Sequence, residues 1–410
     1  MKRVLAVTLG ILTAIGGFVD IGDLVANAET GARFGMRLAW VVVLGVVGIC
    51  VYAEMAGRVA AVSGRPVFDL IRERMGPRVA LANLGGSYLV TLLTLAAEVG
   101  GVALALELAS SVHYLLWVPV AAFVIWVVLW RMRFETMERV FGLLGLALVV
   151  FVVALVALDP PWRDLAQQAT GGGPASGEGW ASYGFFAVSL FAAAMTPYEV
   201  FFFSSGGVEE KWGRRDLITE RVNVFVGFPL GGVLSLAIMA CAATVFTPLG
   251  VRVDSIGQTV LPVALALGKI GLVVVILGVF AATFGAALET GLSSGYAIAQ
   301  YFGWRWGKTV APRDAARFHT VVLISLLLGV AALLTTVDPV SVTEVSLVFS
   351  AVALPLTYLP ILVVANDRDY LGDQVNGRLA NTLGVGYLGV VLVAAVAAIP
   401  LMVLTGMGSS

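Results

Sequence analysis

Gly16-Gly17-Phe18-Val19-Asp20-Ile21-Gly22-Asp23 stands in the middle of a mostly apolar run, residues 4–33, and the fold turns on how it is read. A membrane-spanning helix needs about 20 apolar residues, and this run is long enough. Carboxylates deep in a bilayer are costly and mark function by default. Glycine weakens a helix where they occur. The stretch therefore reads as an interrupted span. If it stays helical, Asp20 and Asp23 are three residues apart and share a face. If it unwinds at Gly22, free carbonyls join them. A re-entrant turn or a misjudged helix end is the plain alternative. Met1-Lys2-Arg3 and Ala26-Asn27-Ala28 imitate a secretory signal, but Asp20 and Asp23 interrupt the region that such a signal keeps apolar. The segment is expected to stay as the first span.

The rest of the 410-residue chain has the same solvent. It is 59% hydrophobic and only 12% charged, with mean hydropathy +0.96. Soluble domains carry about twice that charged share, so the lipid bilayer is the expected environment. A net charge of -1 gives no case for nucleic acid. Cys50 and Cys241 lie in apolar runs and read as small buried hydrophobes. Eleven spans emerge: 4–33, 36–60, 80–110, 114–131, 138–158, 182–206, 218–247, 262–302, 317–336, 341–365 and 379–405. The third and eighth are long enough to tilt or to carry a short surface extension. With the N-terminus in the cytoplasm, 20 of the Lys and Arg residues fall inside and five outside, as the positive-inside rule requires. The C-terminus then lies outside. Residues 159–181, rich in Gly, Pro and Ser, read as a flexible connection. They divide a five-helix unit, 4–158, from a second one, 182–365, with 379–405 as an extra eleventh helix.

The sixth span opens the second unit and holds Ala193-Ala194-Met195-Thr196-Pro197-Tyr198-Glu199. Pro197 lacks an N–H and clashes with the preceding turn, which frees the carbonyl of Ala193. Thr196 and Glu199 can point the same way as that carbonyl. A simple proline kink is the alternative reading. Paired interrupted spans at corresponding places in two halves are the best sequence pointer to a transporter site. The expectation is therefore two inverted repeats with the site between their first helices.

Four motifs in order then resemble the Nramp family of divalent-metal transporters, over nearly the whole chain. Asp20-Ile21-Gly22-Asp23 is similar to the family's DPGN. Ala96 to Leu108, AAEVGGVALALEL, is similar to its third-helix pattern. Thr196-Pro197-Tyr198 stands where the family has MPH, and Leu354 to Gly372 follows its tenth-helix pattern. The resemblance implies an all-α integral membrane protein of LeuT-type fold, with a divalent metal ion as substrate and no cofactor. It carries the metal-ligand roles onto Asp20, Asp23, Ala193 and Thr196. It places the third-helix proton-route Asp on Leu95 and its Glu on Glu98. The sixth-helix histidines fall on Tyr198 and Phe203, and the tenth-helix Gln on Ala353. This is a divergent member: Asn has become Asp23, and the thioether has become the Thr196 hydroxyl.

Carboxylate, hydroxyl and carbonyl donors suit hard cations, whereas thioethers select soft ones. With Asp20, Asp23, Thr196, the Ala193 carbonyl and Glu199, the expected guest is magnesium or manganese. Loss of the methionine parallels the family's magnesium-transporting relatives. Met195 should point away and pack. Three ionised acids exceed a divalent ion by one charge, so Glu199 is expected to keep a proton, with Tyr198 as its hydrogen-bond partner. Glu98 and Glu289 are expected as proton-coupling or supporting groups. Alternatives are a carrier of an organic amine or amino acid on the same fold, and a cation channel or sensor. No nucleophile–base pair points to an enzyme, and no obligate protein partner is implied.

Overall fold

The computed structural model describes residues 18–175, 177–335 and 337–408, apart from the side chains of 134, 135 and 138. Among these residues every regular element is helical, and ten helices are long and apolar enough to cross a membrane. Residues 4–17, the first half of the expected first span, lie outside the described residues. Its second half is α1, Ile21–Phe34.

Next come α2 (Ala39–Ser63), the short α3 (Val67–Met75), α4 (Pro77–Ser110) and α5 (Tyr114–Arg131). The fifth span is α6 (Phe134–Gly145) and α7 (Val150–Ala157), joined by a 3-10 turn. The connection 159–181 is not simply flexible, as its composition suggested. It contains α8, Trp162–Gly171, which starts directly after Pro160-Pro161 and ends at Gly172 with φ 59°. Proline at a helix start and glycine past its end are ordinary helix punctuation. Beyond it lie α9 (Trp180–Ala194), α10 (Pro197–Glu209), α11 (Leu217–Val222) and α12 (Phe228–Val245), the last two linked by a π-helical turn. The eighth span is α13, Ile256–Phe302, kinked at Gly268 with φ 63°. The remainder is α14 (Ala316–Leu334), α15 (Pro339–Ala365), the single turn α16 (Arg368–Leu371) and α17 (Arg378–Thr405).

Small residues let the backbones around the first and sixth spans approach closely, as membrane packing favours. A Cβ on Gly31 of α1 would lie 2.2 Å from the Met239 carbonyl oxygen of α12. One on Gly45 of α2 would lie 2.4 Å from the Ala194 methyl, at the end of α9. One on Gly48 would lie 2.5 Å from the Met195 sulfur, so that thioether packs against α2, as expected. Both broken spans are thus wedged among other helices, where irregular backbone is tolerated at membrane depth.

Candidate functional site

The first break precedes Gly22 rather than falling on it. Val19 and Asp20 are non-helical, and Gly22 lies in the first turn of α1. Asp20 is the N-cap: its Oδ1 accepts from the Asp23 N–H at 2.8 Å. Gly22 still matters, because a Cβ there would sit 3.1 Å from that Oδ1. Carboxylates are favoured at a helix N-terminus by the unpaired N–H groups and the helix dipole. A second one arrives from α4, where Glu98 Oε1 accepts from the Ile21 N–H at 3.1 Å. Glu98 Oε2 is buried without a hydrogen-bond partner.

The second break is sharper than a kink. α9 stops at Ala194, Met195 takes φ -126° and ψ 51°, and Thr196 is extended. Pro197 becomes the first residue of a new helix, α10, where its missing N–H costs nothing. A helix that ends at Ala194 leaves its last carbonyls, Ala193 among them, without intrahelical partners. The Met195 carbonyl accepts from the Tyr358 hydroxyl of α15 at 3.1 Å.

The two breaks meet. Tyr198 OH, in the first turn of α10, donates to Asp20 Oδ2 at 3.2 Å. This corrects the expected pairing of Tyr198 with Glu199. The Glu199 carboxylate instead accepts from the Thr196 hydroxyl, at 3.3 Å, because three residues along one helical turn bring these two together. Asp23 faces α12. Its Oδ2 accepts from Ser235 Oγ at 2.5 Å and its Oδ1 from Asn27 Nδ2 at 2.8 Å. Neither partner was singled out in the sequence. Asn27 had a signal, four residues beyond Asp23 on the same face. Ser235 had none, because a lone serine in an apolar span also bonds its own helix, as Ser235 does to the Gly231 carbonyl.

Asp20, Asp23, Glu98, Thr196, Tyr198 and Glu199 are all 5% exposed or less, and Glu289 of α13 is 9% exposed. Glu289 lies within electrostatic reach of Asp20, Glu98 and Glu199. Among the described residues none of these five acids forms an ion pair with Lys, Arg or His. No three His, Cys, Asp or Glu side chains among the described residues form a metal-holding group of their own. Any cation here must draw part of its shell from hydroxyls and carbonyls. Tyr358, which reaches the Met195 carbonyl, packs tilted against Tyr52 with ring centroids 4.4 Å apart, and Phe203, further along α10, packs edge-on to Trp212 at 5.2 Å.

Comparison with known proteins agrees with this architecture. The natural resistance-associated macrophage protein-like family profile matches residues 10–400. The chain belongs to the Nramp family. Among relatives of this Nramp protein, the divalent metal cation transporter MntH of Deinococcus radiodurans is 27% identical over 402 residues, 94% of this chain and 87% of the relative. A manganese transporter of Eremococcus coleocola, solved with an aromatic bis-isothiourea compound, superposes with TM-score 0.71 at 18% identity, covering 96% of this chain and 85% of that one. The nucleobase-cation-symport-1 transporter Mhp1, in a closed conformation, gives TM-score 0.63 at 17% identity, covering 96% and 91%. The Nramp chain therefore has the LeuT-type fold, and its ten described spans are arranged as in that fold.

Proposed function

We propose that this chain is a secondary transporter of a hard divalent metal cation, magnesium or manganese, which binds where α1 begins and α9 ends. The observation that carries the reading is the Asp20–Tyr198 hydrogen bond, which joins two helix breaks amid buried acids that have no basic partner. Uncompensated buried charge is very costly, so the site calls for cations or protons. Asp20 and Asp23 balance a divalent ion, with the Thr196 hydroxyl and the Ala193 carbonyl completing its shell alongside water. Magnesium keeps several waters and needs only one or two carboxylates. The names of the relatives, divalent metal cation transporter and manganese transporter, support a divalent guest.

The metal crosses by alternating access, with the 4–158 and 182–365 units rocking about the site. Glu199 keeps a proton when the metal is bound, since a further ionised acid would overcharge the site. Glu98 and Glu289 share that role, Glu98 also fixing the start of α1. The distribution of Lys and Arg supports a plasma-membrane protein with its N-terminus in the cytoplasm and its C-terminus outside. The test is proteoliposome uptake of Mg, Mn, Ca and Cd, with and without a pH gradient. Mg or Mn uptake should exceed Cd uptake, respond to the gradient, and vanish in Asp20→Asn and Asp23→Asn. Preference for Cd over Mg overturns the hard-site assignment, and indifference to the gradient overturns proton coupling.

A further inference from the structure

Far from the acids, the last turns of α5 and the first turns of α14 enclose a cleft of about 240 Å³. Its walls include Trp126, Leu129 and Trp130 from α5, Pro312 from the preceding loop, and His319 and Leu323 from α14. Trp126 lies five residues before the end of α5, and Leu323 seven after the start of α14. At 1.5 Å per residue the cleft reaches roughly 7–10 Å below the helix ends, the depth of the headgroup and glycerol region. The indoles of Trp126 and Trp130 stack at 5.2 Å, and such rings favour that depth. Below the cleft the surface is lipid-like: Phe123 is 62% exposed and Leu327 57%.

His319 and Thr320 are polar members of the lining, and Arg131, Arg313 and Arg317 each directly follow a lining residue, Trp130, Pro312 and Ala316. His319 bonds the Val310 backbone, while its Nε2 is buried with no partner. Arg131 stacks over Trp130 at 4.7 Å and Arg317 over Trp304 at 5.2 Å. A guanidinium held flat on a ring still presents its N–H edge to an acceptor. Arg313 adjoins Pro312 and is exposed, as is Asp314, and Glu209, which accepts from the Lys308 and Thr309 N–H groups, lies within electrostatic reach of His319. Lys308 is turned inward instead: its Nζ donates to the carbonyls of Val128 and Leu129, at the end of α5. Three exposed arginines thus adjoin the apolar wall in sequence, two of them held on indole rings.

We propose that this cleft binds one anionic phospholipid, its phosphate held by Arg131, Arg313 and Arg317, and an acyl chain lying along Trp126 and Leu323. Charge complementarity selects an anionic headgroup over a zwitterionic one, and the apolar wall selects a lipid over a soluble phosphate. The assignment is independent of the metal site. It is tested on the full chain by native mass spectrometry after titration with phosphatidylglycerol or phosphatidylcholine.

The wild type should retain phosphatidylglycerol selectively, and excess inorganic phosphate should not displace it. At about 1 kcal/mol per basic residue, R131Q/R317Q should weaken phosphatidylglycerol binding roughly thirtyfold and leave phosphatidylcholine binding unchanged. Leu323→Trp, which fills the cleft, should abolish selective retention. If Leu323→Trp does not fold, the exposed arginine pair still decides. Equal retention of the two lipids by the wild type, or undiminished phosphatidylglycerol binding in R131Q/R317Q, overturns the proposal.

Discussion

Replacing Tyr198 by Phe removes one oxygen from the protein and, with it, the hydrogen bond between the two breaks. The ring is 1% exposed, and phenylalanine fills the same space, so packing is preserved. A hydrogen bond to a charged group contributes about 1.5–3 kcal/mol, which is roughly 10- to 150-fold in an equilibrium constant. Deleting a group that orients a metal ligand typically costs about 10–100-fold in affinity. The O–O distance of 3.2 Å is long for a hydroxyl on a carboxylate, where about 2.5–2.7 Å is usual. The lower end is therefore expected: a loss of roughly tenfold in Mn affinity, near 1.4 kcal/mol. Tyr358→Phe is the matched comparison, since that hydroxyl donates to the Met195 carbonyl at 3.1 Å. A neutral pair contributes about 1 kcal/mol, so its effect should be smaller. Calorimetric titration of both variants with Mn, alongside proteoliposome KM values, measures the difference. Unchanged or tighter binding by Tyr198→Phe would mean that the phenol does not hold Asp20 for the metal, or competes with it.

Three further outcomes are expected. Thr196→Met places a thioether where only oxygen now stands, so the ratio of Cd to Mg uptake should rise; an unchanged ratio would remove Thr196 from the metal's shell. Gly31→Ala should strongly reduce the yield of folded protein, because its Cβ would meet a backbone oxygen at 2.2 Å, whereas Gly85→Ala, with open space around it, should be tolerated. Thermal stability and yield in detergent report both. Lys308, in the loop before α14, is brought down from 10.5 to about 8, mainly by burial, against the opposing pull of Glu209. Between about pH 8 and pH 10.5 the unfolded chain holds a proton that the folded chain has shed, so stability rises with pH across that window. The apparent Tm of the wild type should accordingly gain on that of Lys308→Met between about pH 7.5 and pH 9.5, and a constant difference would refute the shift.

Local composition revealed most of the spans. The ends of α14, α15 and α17 fall within two residues of those expected, because bilayer thickness imposes a length that hydropathy reports directly. Both breaks were legible for the same local reason, glycine with acids and proline with a hydroxyl. Their detail was not. Gly22 looked like the point of unwinding, but capping by Asp20 and Glu98 starts the helix one residue earlier. Tyr198 lies next to Glu199 in sequence, yet it bonds Asp20, 178 residues away. Ser235 reaches Asp23 across 212 residues. Such pairings depend on how helices are placed, which a hydropathy pattern does not encode. In 159–181 the glycines after residue 170 concealed α8, although Pro160-Pro161 followed by Trp162 was a usable start signal.

The way the start of α1 is occupied narrows what the site can carry. Amino-acid carriers of the LeuT type use the N–H groups of a half-helix to hold the substrate's carboxylate. In this chain those donors are already taken: Ile21 N–H by Glu98 and Asp23 N–H by Asp20. An incoming carboxylate would have to displace a protein carboxylate and would then face Glu199 and Glu289 across the same small space. A cation meets the opposite situation, with acids on one side and the carbonyl end of α9 on the other. The same capping explains how two carboxylates can lie at membrane depth without lysine or arginine, since the helix dipole offsets part of their charge and a bound cation would offset more. Inhibition of metal uptake by zwitterionic amino acids, competitive and abolished together with uptake in Asp20→Asn, would contradict this argument.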